Sequence, residues 1–514
     1  MHAITCRFLG FVLALALSGC AWQTQNRLER YNSAYNSADF VQAAELAADF
    51  GDIGPEATGD GDLLWLLQQA TALQAAGKHD KAIARFDTTE RYFRMYDEQG
   101  AVLEWGGQLL SVLTNDASLA YQGMVYDAIM VNSYKSLNFM AEGQPELARV
   151  ELNRARDRQR RAADFFAEEL VEARREMTRK AERQASASTL QNALGSADKA
   201  LEREYSTLDE WSVYPAFINP FATYLHGLYL LTQAEAAGDY GLAADALRET
   251  RAMVPGLDAV DEDWRWAEAL AAGKVRLEEL PRTVWVIYEN GLGPVREVQR
   301  IQLPIFLLNR DGIPFWTGIA YPTLKLRSQA QPALAVQLEG GQTARSEVLV
   351  NMDAVIATEF RQRLPMVITR AVTAAVAKAA AQYQVQKEAH PLVALLGLIY
   401  QVASTQADTR QWTSLPKTIE VAKLERTGAQ SDPDHLVISG LEDQRVALPD
   451  NQFTLVWVRQ PALATRPAIT VIGLGREQTG VREPIGQDEA VQLPAPGSTQ
   501  SLDQNPDKVP AGGQ

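Results

Sequence analysis

The chain has 514 residues, 46% of them hydrophobic, which is enough for two or three domains with real cores. It carries 49 basic against 64 acidic residues, a formal net charge of −15, and this balance argues against nucleic acid as a main partner. Only two cysteines occur, Cys6 and Cys20, both within the first twenty residues, so the remainder holds neither a disulfide nor a cysteine-type zinc site.

Arg7, with no acid near it, precedes an apolar stretch from Phe8 to Leu17. That pattern fits a signal peptide and is too short to span a bilayer as a permanent helix. The run closes on Leu17-Ser18-Gly19-Cys20, which resembles a bacterial lipobox. The resemblance implies cleavage before Cys20 and lipidation of its thiol. Stable anchoring takes more than one acyl chain, and such a terminus supplies two or three. Residue 21 is Ala, not the Asp that commonly retains lipoproteins at the inner membrane. The expected location is therefore the periplasmic face of the outer membrane, with residues 1–19 removed and Arg7 lost with them, leaving a charge of −16 against the same 64 acids.

Helical signals dominate residues 20–280. AGKHDKAIARF (76–86), EGQPELARVELNRA (142–155) and AGDYGLAADAL (237–247) each place a glycine ahead of small alanines at helical spacing, with a shorter echo, ADFVQAAEL, at 38–46. These resemble tetratricopeptide repeats, in which glycine makes the turn between two helices and alanine lets the second pack closely on the first. Gly77, Ala82 and Phe86 should form one such unit. Spacing between the glycines is irregular, so a generic antiparallel helical array is the competing reading. In a repeat array the first helices, here 63–76, 126–140 and 224–236, line a concave face. They carry Trp65, Gln69, Tyr126, Asn132, Tyr134, Asn138, Tyr224 and Tyr229, aromatic and amide groups suited to protein binding. At least half of these aromatics should pack between helices, and binding should depend on the exposed remainder.

A long charged helix is expected at about 146–182. Its basic run, RARDRQRR, is interrupted by Asp157 and followed by acids, so a solvated helix is favoured over a lipid- or nucleic-acid-binding patch. SASTLQNALGSADK is expected to close it into a hairpin with a helix around 201–208.

Residues 281–476 change period. Strands are expected at 282–289, in REVQRIQLPIF (296–306), and at 318–326, 333–338, 347–351, 418–424, 435–439, 453–459 and 468–472, with ENGLGP as a turn. A helical pair at 353–388 and 391–404 interrupts them, making an α+β domain. The apolar run 391–403 is about 13 residues, below the ~18–20 that a spanning helix needs. From 477 the chain is rich in Pro, Gly and Gln and is expected to be disordered. The fold class is thus multidomain: a mainly α, tetratricopeptide-like array, then an α+β domain and a disordered tail.

Sites with chemistry are few. His79, His226, His390 and His435 each stand alone in sequence, and no H-E-x-x-H, calcium loop, nucleophile elbow or phosphate loop occurs. No catalytic residue, metal site or cofactor is expected, and the chain reads as a non-enzyme. Asp408, Arg410 and Trp412 form the most suggestive cluster: either a polar-ligand site or a buried Arg–Asp pair with a packed indole fixing a loop.

The stretches VWVIYENGLGPVREVQRIQLPIF, MDAVIATEFRQRLPMVITRAVTAAVAK, QADTRQWTSLPKTIEVAKLE and YDAIMVNSYKSLNFMAEGQPELARVELNRARDRQ are similar to an uncharacterised family of proteobacterial lipoproteins with tetratricopeptide-like N-terminal halves. The resemblance covers about residues 17–460. It implies lipidation and repeats and brings no catalytic activity. The sequence reading is a lipid-anchored periplasmic scaffold or adaptor that binds another cell-envelope protein through its helical repeats. On that reading a soluble fragment 23–280 should retain the partner and the strand domain alone should not. The alternatives are a structural subunit of an oligomeric envelope or export complex, a homo-oligomer included, and an enzyme or small-ligand binder using the α+β domain.

Overall fold

A computed structural model of the chain describes residues 25–54, 61–99, 121, 123–184, 187–204, 214, 219–305, 315–388, 407–426, 435–439 and 443–475. The signal segment with Cys20, His390, the apolar run 391–403 and the tail lie outside these residues.

The first part is a helical array: α1 (25–36), α2 (Phe40–Gly51), α3 (Leu63–Ala75), α4 (His79–Gln99), α5 (Val125–Ala141), α6 (Pro145–Gln184), α7 (Ala187–Glu204), α8 (Pro220–Thr232), α9 (Ala237–Met253) and α10 (Asp258–Ala271). Helix starts follow capping chemistry. The Asp62 carboxylate accepts from Leu64 N at 3.0 Å, and Asn219 caps α8 ahead of Pro220. Two turns follow the glycine logic of the sequence. At Gly77 (φ +71°) the amides of Gly77 and Lys78 donate back to Gln74 and Leu73, and at Gly143 (φ +68°) those of Gly143 and Gln144 donate to Met140 and Phe139. This paired C-terminal cap requires a left-handed residue, which glycine supplies without a Cβ penalty. Ala82 and Phe86 are fully buried behind the first turn.

Two expectations are corrected here. Gly238 lies inside α9 and makes no turn, because α8 already ends at Thr232. SASTLQNALGSADK does not close a hairpin as a loop; most of it is α7 itself. A glycine inside a helix costs about 1 kcal/mol relative to alanine. Burial of Leu190, Ala193 and Ala197 against Ile319, Tyr321, Val372 and Val376 offsets that cost.

The strands are β1 (Thr283–Asn290), β2 (Val295–Ile305), β3 (Phe315–Lys325), β4 (Ala335–Leu338), β5 (Thr343–Arg345), β6 (Glu347–Asn351), β7 (Thr418–Glu425), β8 (His435–Ile438), β9 (Gln444–Ala447), β10 (Phe453–Gln460) and β11 (Ala468–Leu474). α11 (Met352–Glu388) runs between β6 and β7. A five-stranded sheet has the order β11-β10-β1-β7-β6, with β1 and β10 parallel and the other neighbours antiparallel. A four-stranded sheet has the order β5-β4-β8-β9, and β2–β3 form a separate ribbon. The short β5 and β9 are additions to the strands expected from sequence, which has too few β-branched or aromatic residues there to mark them.

Alternation along β1 explains the layers, since successive side chains point to opposite faces. Trp285 and Ile287 join the core of the helical array, whereas Val284, Val286 and Tyr288 join Val336, Leu338, Leu436 and Ile438 of the smaller sheet. Every residue of β1 is therefore buried. Helices, large sheet and small sheet stack as three layers, and the described residues form one compact unit. Array and sheet share one continuous core across residue 280.

Candidate functional site: the inner face of the helical array

The eight side chains expected to line a binding face are all buried, each at 7% exposure or less. The exposed remainder on which binding was to depend does not exist among them. The reason is physical: an aromatic-rich face is a large apolar surface, and the chain covers it itself, with neighbouring helices around most of these side chains and with Trp412 and Arg459 over Tyr134.

Trp65 packs edge-on to Tyr31 and Phe50, and the carbonyl of Gln69 is buried without a hydrogen-bond partner. Tyr126 is buried at the start of α5, where Glu359 of α11 accepts from the amides of Val125 and Tyr126 at 3.0 and 3.2 Å. Asn132 donates to Glu90 and Glu151 and accepts from Arg158. Asn138 donates to Gln74 at 2.9 Å and lies 2.7 Å from the His79 ring. Tyr224 donates to the buried Asp263 at 2.8 Å, and Tyr229 donates to the Pro145 carbonyl. Tyr134 meets the sheet: its ring is edge-on to Trp412, and its hydroxyl accepts from Arg459 of β10.

The 407–417 segment is held by the first helices. Gln68 of α3 donates to Thr413 Oγ1 at 2.8 Å and accepts from Ser414 Oγ at 2.7 Å. Thr413 also donates to Asn32 of α1, and the Trp412 indole donates to Thr71 of α3. Trp412 lies among Phe86 and Tyr134, fully buried. Of the two readings of Asp408, Arg410 and Trp412, the geometry is that of the loop-fixing one. Arg410 forks onto Asp408 at 2.8 and 2.9 Å, while Trp412 is a packed anchor pointing into the array. Sequence reading missed Gln68, Thr71, Thr413 and Ser414. The signal available was the set of polar residues Gln68, Gln69, Thr71 and Gln74 in a helix, LLWLLQQATALQA, whose remaining positions are all apolar.

Buried charge knits the layers together. Arg459 pairs with Glu289, its neighbour in the parallel β1–β10 register, and reaches the Ser414 carbonyl. Burial alone would lower the Arg459 guanidinium, but Glu289, Tyr35 and Tyr134 around it hold it above its ordinary value. Asp263 of α10 accepts from Lys423 of β7 at 2.7 Å and from the Trp285 indole at 3.1 Å, tying the array's last helix to the sheet. On α6, Arg158 forks onto Glu90, and Lys135 of α5 pairs with Glu151 and Asp87. The near end of α6 is therefore embedded and not wholly solvated, because Arg158 of the basic run is consumed in a structural pair. Farther along, Arg160, Glu172, Arg175 and Arg179 are exposed, and among the described residues their ion pairs are with neighbours on their own helix.

His79 bridges Asn138 and Thr470 and stacks near Trp457, a structural position. Burial holds His226 down at about 4, so it is neutral in the core. Among the described residues no helix is long and apolar enough to cross a membrane. No protein-family model, curated protein or solved structure matches the chain.

Proposed function

We propose that the chain is a lipid-anchored, non-catalytic scaffold of the cell envelope, fixed by Cys20 to the periplasmic face of the outer membrane. The observation that carries this reading is the internally filled array. A repeat array with an open inner face would act as a groove. Here that face is filled by the chain's own side chains, so the body serves as a platform and partners meet its outer surfaces. The tetratricopeptide character of the α3–α4 and α5–α6 hairpins belongs to this reading, supported by the two matching glycine turns. The partner-binding surface moves to the distal part of α6, whose exposed Arg160, Glu172 and Arg175 pair, among the described residues, within their own helix. The LSGC ending supports the anchor.

The test has two arms. Cys20→Ala should release the chain from the membrane pellet, and a variant still pelleting like the parent sinks the anchor. Photo-crosslinking residues at 160 and 172, compared with one at the buried position 134, should link an envelope protein from the α6 positions only. Equal linkage from position 134 would restore the inner face as the binding surface.

A further inference from the structure

A sheet edge exposes a row of backbone donors and acceptors that will pair with any suitable strand, so edges are normally kept short, charged, bulged or interrupted by proline. The described edges of this chain mostly obey. β5 has three residues and ends in Arg345, and β9 has four and carries Arg445 paired with Glu339. β6 starts at Glu347 and has a register irregularity between Val348 and Val350. The β2–β3 ribbon contains Pro304 and Pro322 along with Arg296, Glu297, Arg300 and Lys325.

β11 is different. AITVIGL runs seven residues without a charge, a proline or a bulge in its register with β10. It is the last strand of the five-stranded sheet, with no strand on its far side among the described residues. Ala468, Ile469 and Val471 are only partly buried although each packs on a core cluster. Leu463, at 67% the most exposed of the large apolar side chains, sits in the connection leading into this strand.

We propose that β11 is an assembly edge that pairs antiparallel with β11 of a second copy of this chain, about a two-fold axis at Val471. A self-complementary pairing of this kind is what a two-fold dimer requires. In that register Val471 faces itself, Thr470 faces Ile472, Ile469 faces Gly473, and Ala468 faces Leu474. The strand has no charges, so no like-charged pair arises along it, and the bulky positions at 469 and 474 meet small ones. Both five-stranded sheets become one continuous sheet, and the partly exposed Ile469 and Val471 gain neighbours. This inference does not depend on the anchor.

The test uses the full chain with Cys6→Ala and Cys20→Ala, which then has no cysteine. Directly opposed antiparallel residues lie about 4.5–5.5 Å apart at Cα, inside the range a disulfide needs. Mild oxidation of Val471→Cys should give mainly covalent dimer, whereas Val446→Cys on β9 should stay monomeric. The native mass of the cysteine-free chain should be that of a dimer, and Val471→Lys should shift it to monomer. Because the lysine could disturb folding, the register has a gentler check: Thr470→Cys with Ile472→Cys should crosslink between copies, and Thr470→Cys alone should not. A monomeric native mass with no Val471→Cys dimer overturns the proposal, as does a dimer indifferent to Val471→Lys. A Val471→Cys chain that crosslinks in envelopes only to a different polypeptide also overturns it, assigning the edge to another protein's strand.

Discussion

The side-chain amide of Gln68 grips two consecutive hydroxyls 345 and 346 residues away, donating to Thr413 and accepting from Ser414. One residue of the array's inner helix thereby fixes the loop that closes the array. Removing a partner from a buried hydrogen-bonded group costs about 1–3 kcal/mol per group left unsatisfied. Gln68→Leu should lower the unfolding free energy by about 1–3 kcal/mol: Thr413 keeps Asn32 and Ser414 keeps the Trp412 indole, so each hydroxyl loses one of its two partners. Gln68→Glu should do at least as much harm, because it buries a carboxylate and sets an acceptor oxygen against the Gln411 carbonyl where the amide donated. Denaturant unfolding checks both, and parent-like stability of either variant would mean that the amide does not hold this loop.

This contact also marks what the sequence could disclose. Gly77 and Gly143 were legible as turns because a left-handed backbone position selects glycine locally. β1, β7 and β10 were legible because β-branched and aromatic runs write their own period. The fate of the inner face was not legible. Tyr134 and Asn138 carry the same chemistry whether they meet a partner protein or Trp412 and Gln74. Only the long-range return of residues 407–417 decides between them. Arg158 shows the same limit: a basic run reads as a surface until Glu90, 68 residues earlier, is placed against it.

Ala82 has no exposed surface, and the second helix of its hairpin packs through it. Extra methylenes in a filled core cost about 1–3 kcal/mol. Ala82→Leu should therefore lower the thermal midpoint by several degrees, while Lys81→Leu on the exposed side should leave it nearly unchanged. An unaltered midpoint for Ala82→Leu would show that the α3–α4 hairpin does not pack as described.

Asp127 is buried at the start of α5, accepting from the Tyr121 hydroxyl at 2.6 Å and from Met124 N at 2.9 Å, with its other oxygen unpartnered. Burial foremost, with Glu359 nearby, pushes its carboxyl up to about 7, while Tyr121, Met124 and Arg296 pull the other way. A folded-state value above the unfolded one means that the folded chain holds the proton more tightly. Its contribution to stability is full below about 4 and is lost as pH rises through about 7. Asp127→Asn should flatten this part of the pH profile and make the variant relatively more stable at pH 8 than at pH 5. His226 contributes with the opposite sign, its stabilisation being lost as pH falls from its ordinary range toward about 4, so the comparison must be variant against parent at each pH. A constant offset between the two profiles would place Asp127 outside the titration.

Glu289 and Arg459 are the deepest charged pair between neighbouring strands, both almost fully enclosed, and the two face each other across β1 and β10. Replacing such a pair by apolar residues of similar volume is often neutral or stabilising, whereas removing one partner costs about 3–5 kcal/mol. The pair here has further ties, since Arg459 also reaches Ser414 and Tyr134. Glu289→Leu alone should be strongly destabilising, because it strands a guanidinium that cannot lose its charge in the core. Arg459→Leu should cost a similar amount by stranding the Glu289 carboxylate. The double variant should recover most of the loss, so the coupling in a double-mutant cycle should be at least as large as either single loss, about 3–5 kcal/mol. It should not recover all of it, because the carbonyl of Ser414 loses its donor and the 407–417 segment loses one of its holds on the sheet. Greater protease sensitivity within residues 407–417 of the double variant than its residual loss of global stability accounts for would report that loosening. Additive single losses with no coupling would mean that Arg459 is held by Ser414 and Tyr134 and owes nothing to Glu289.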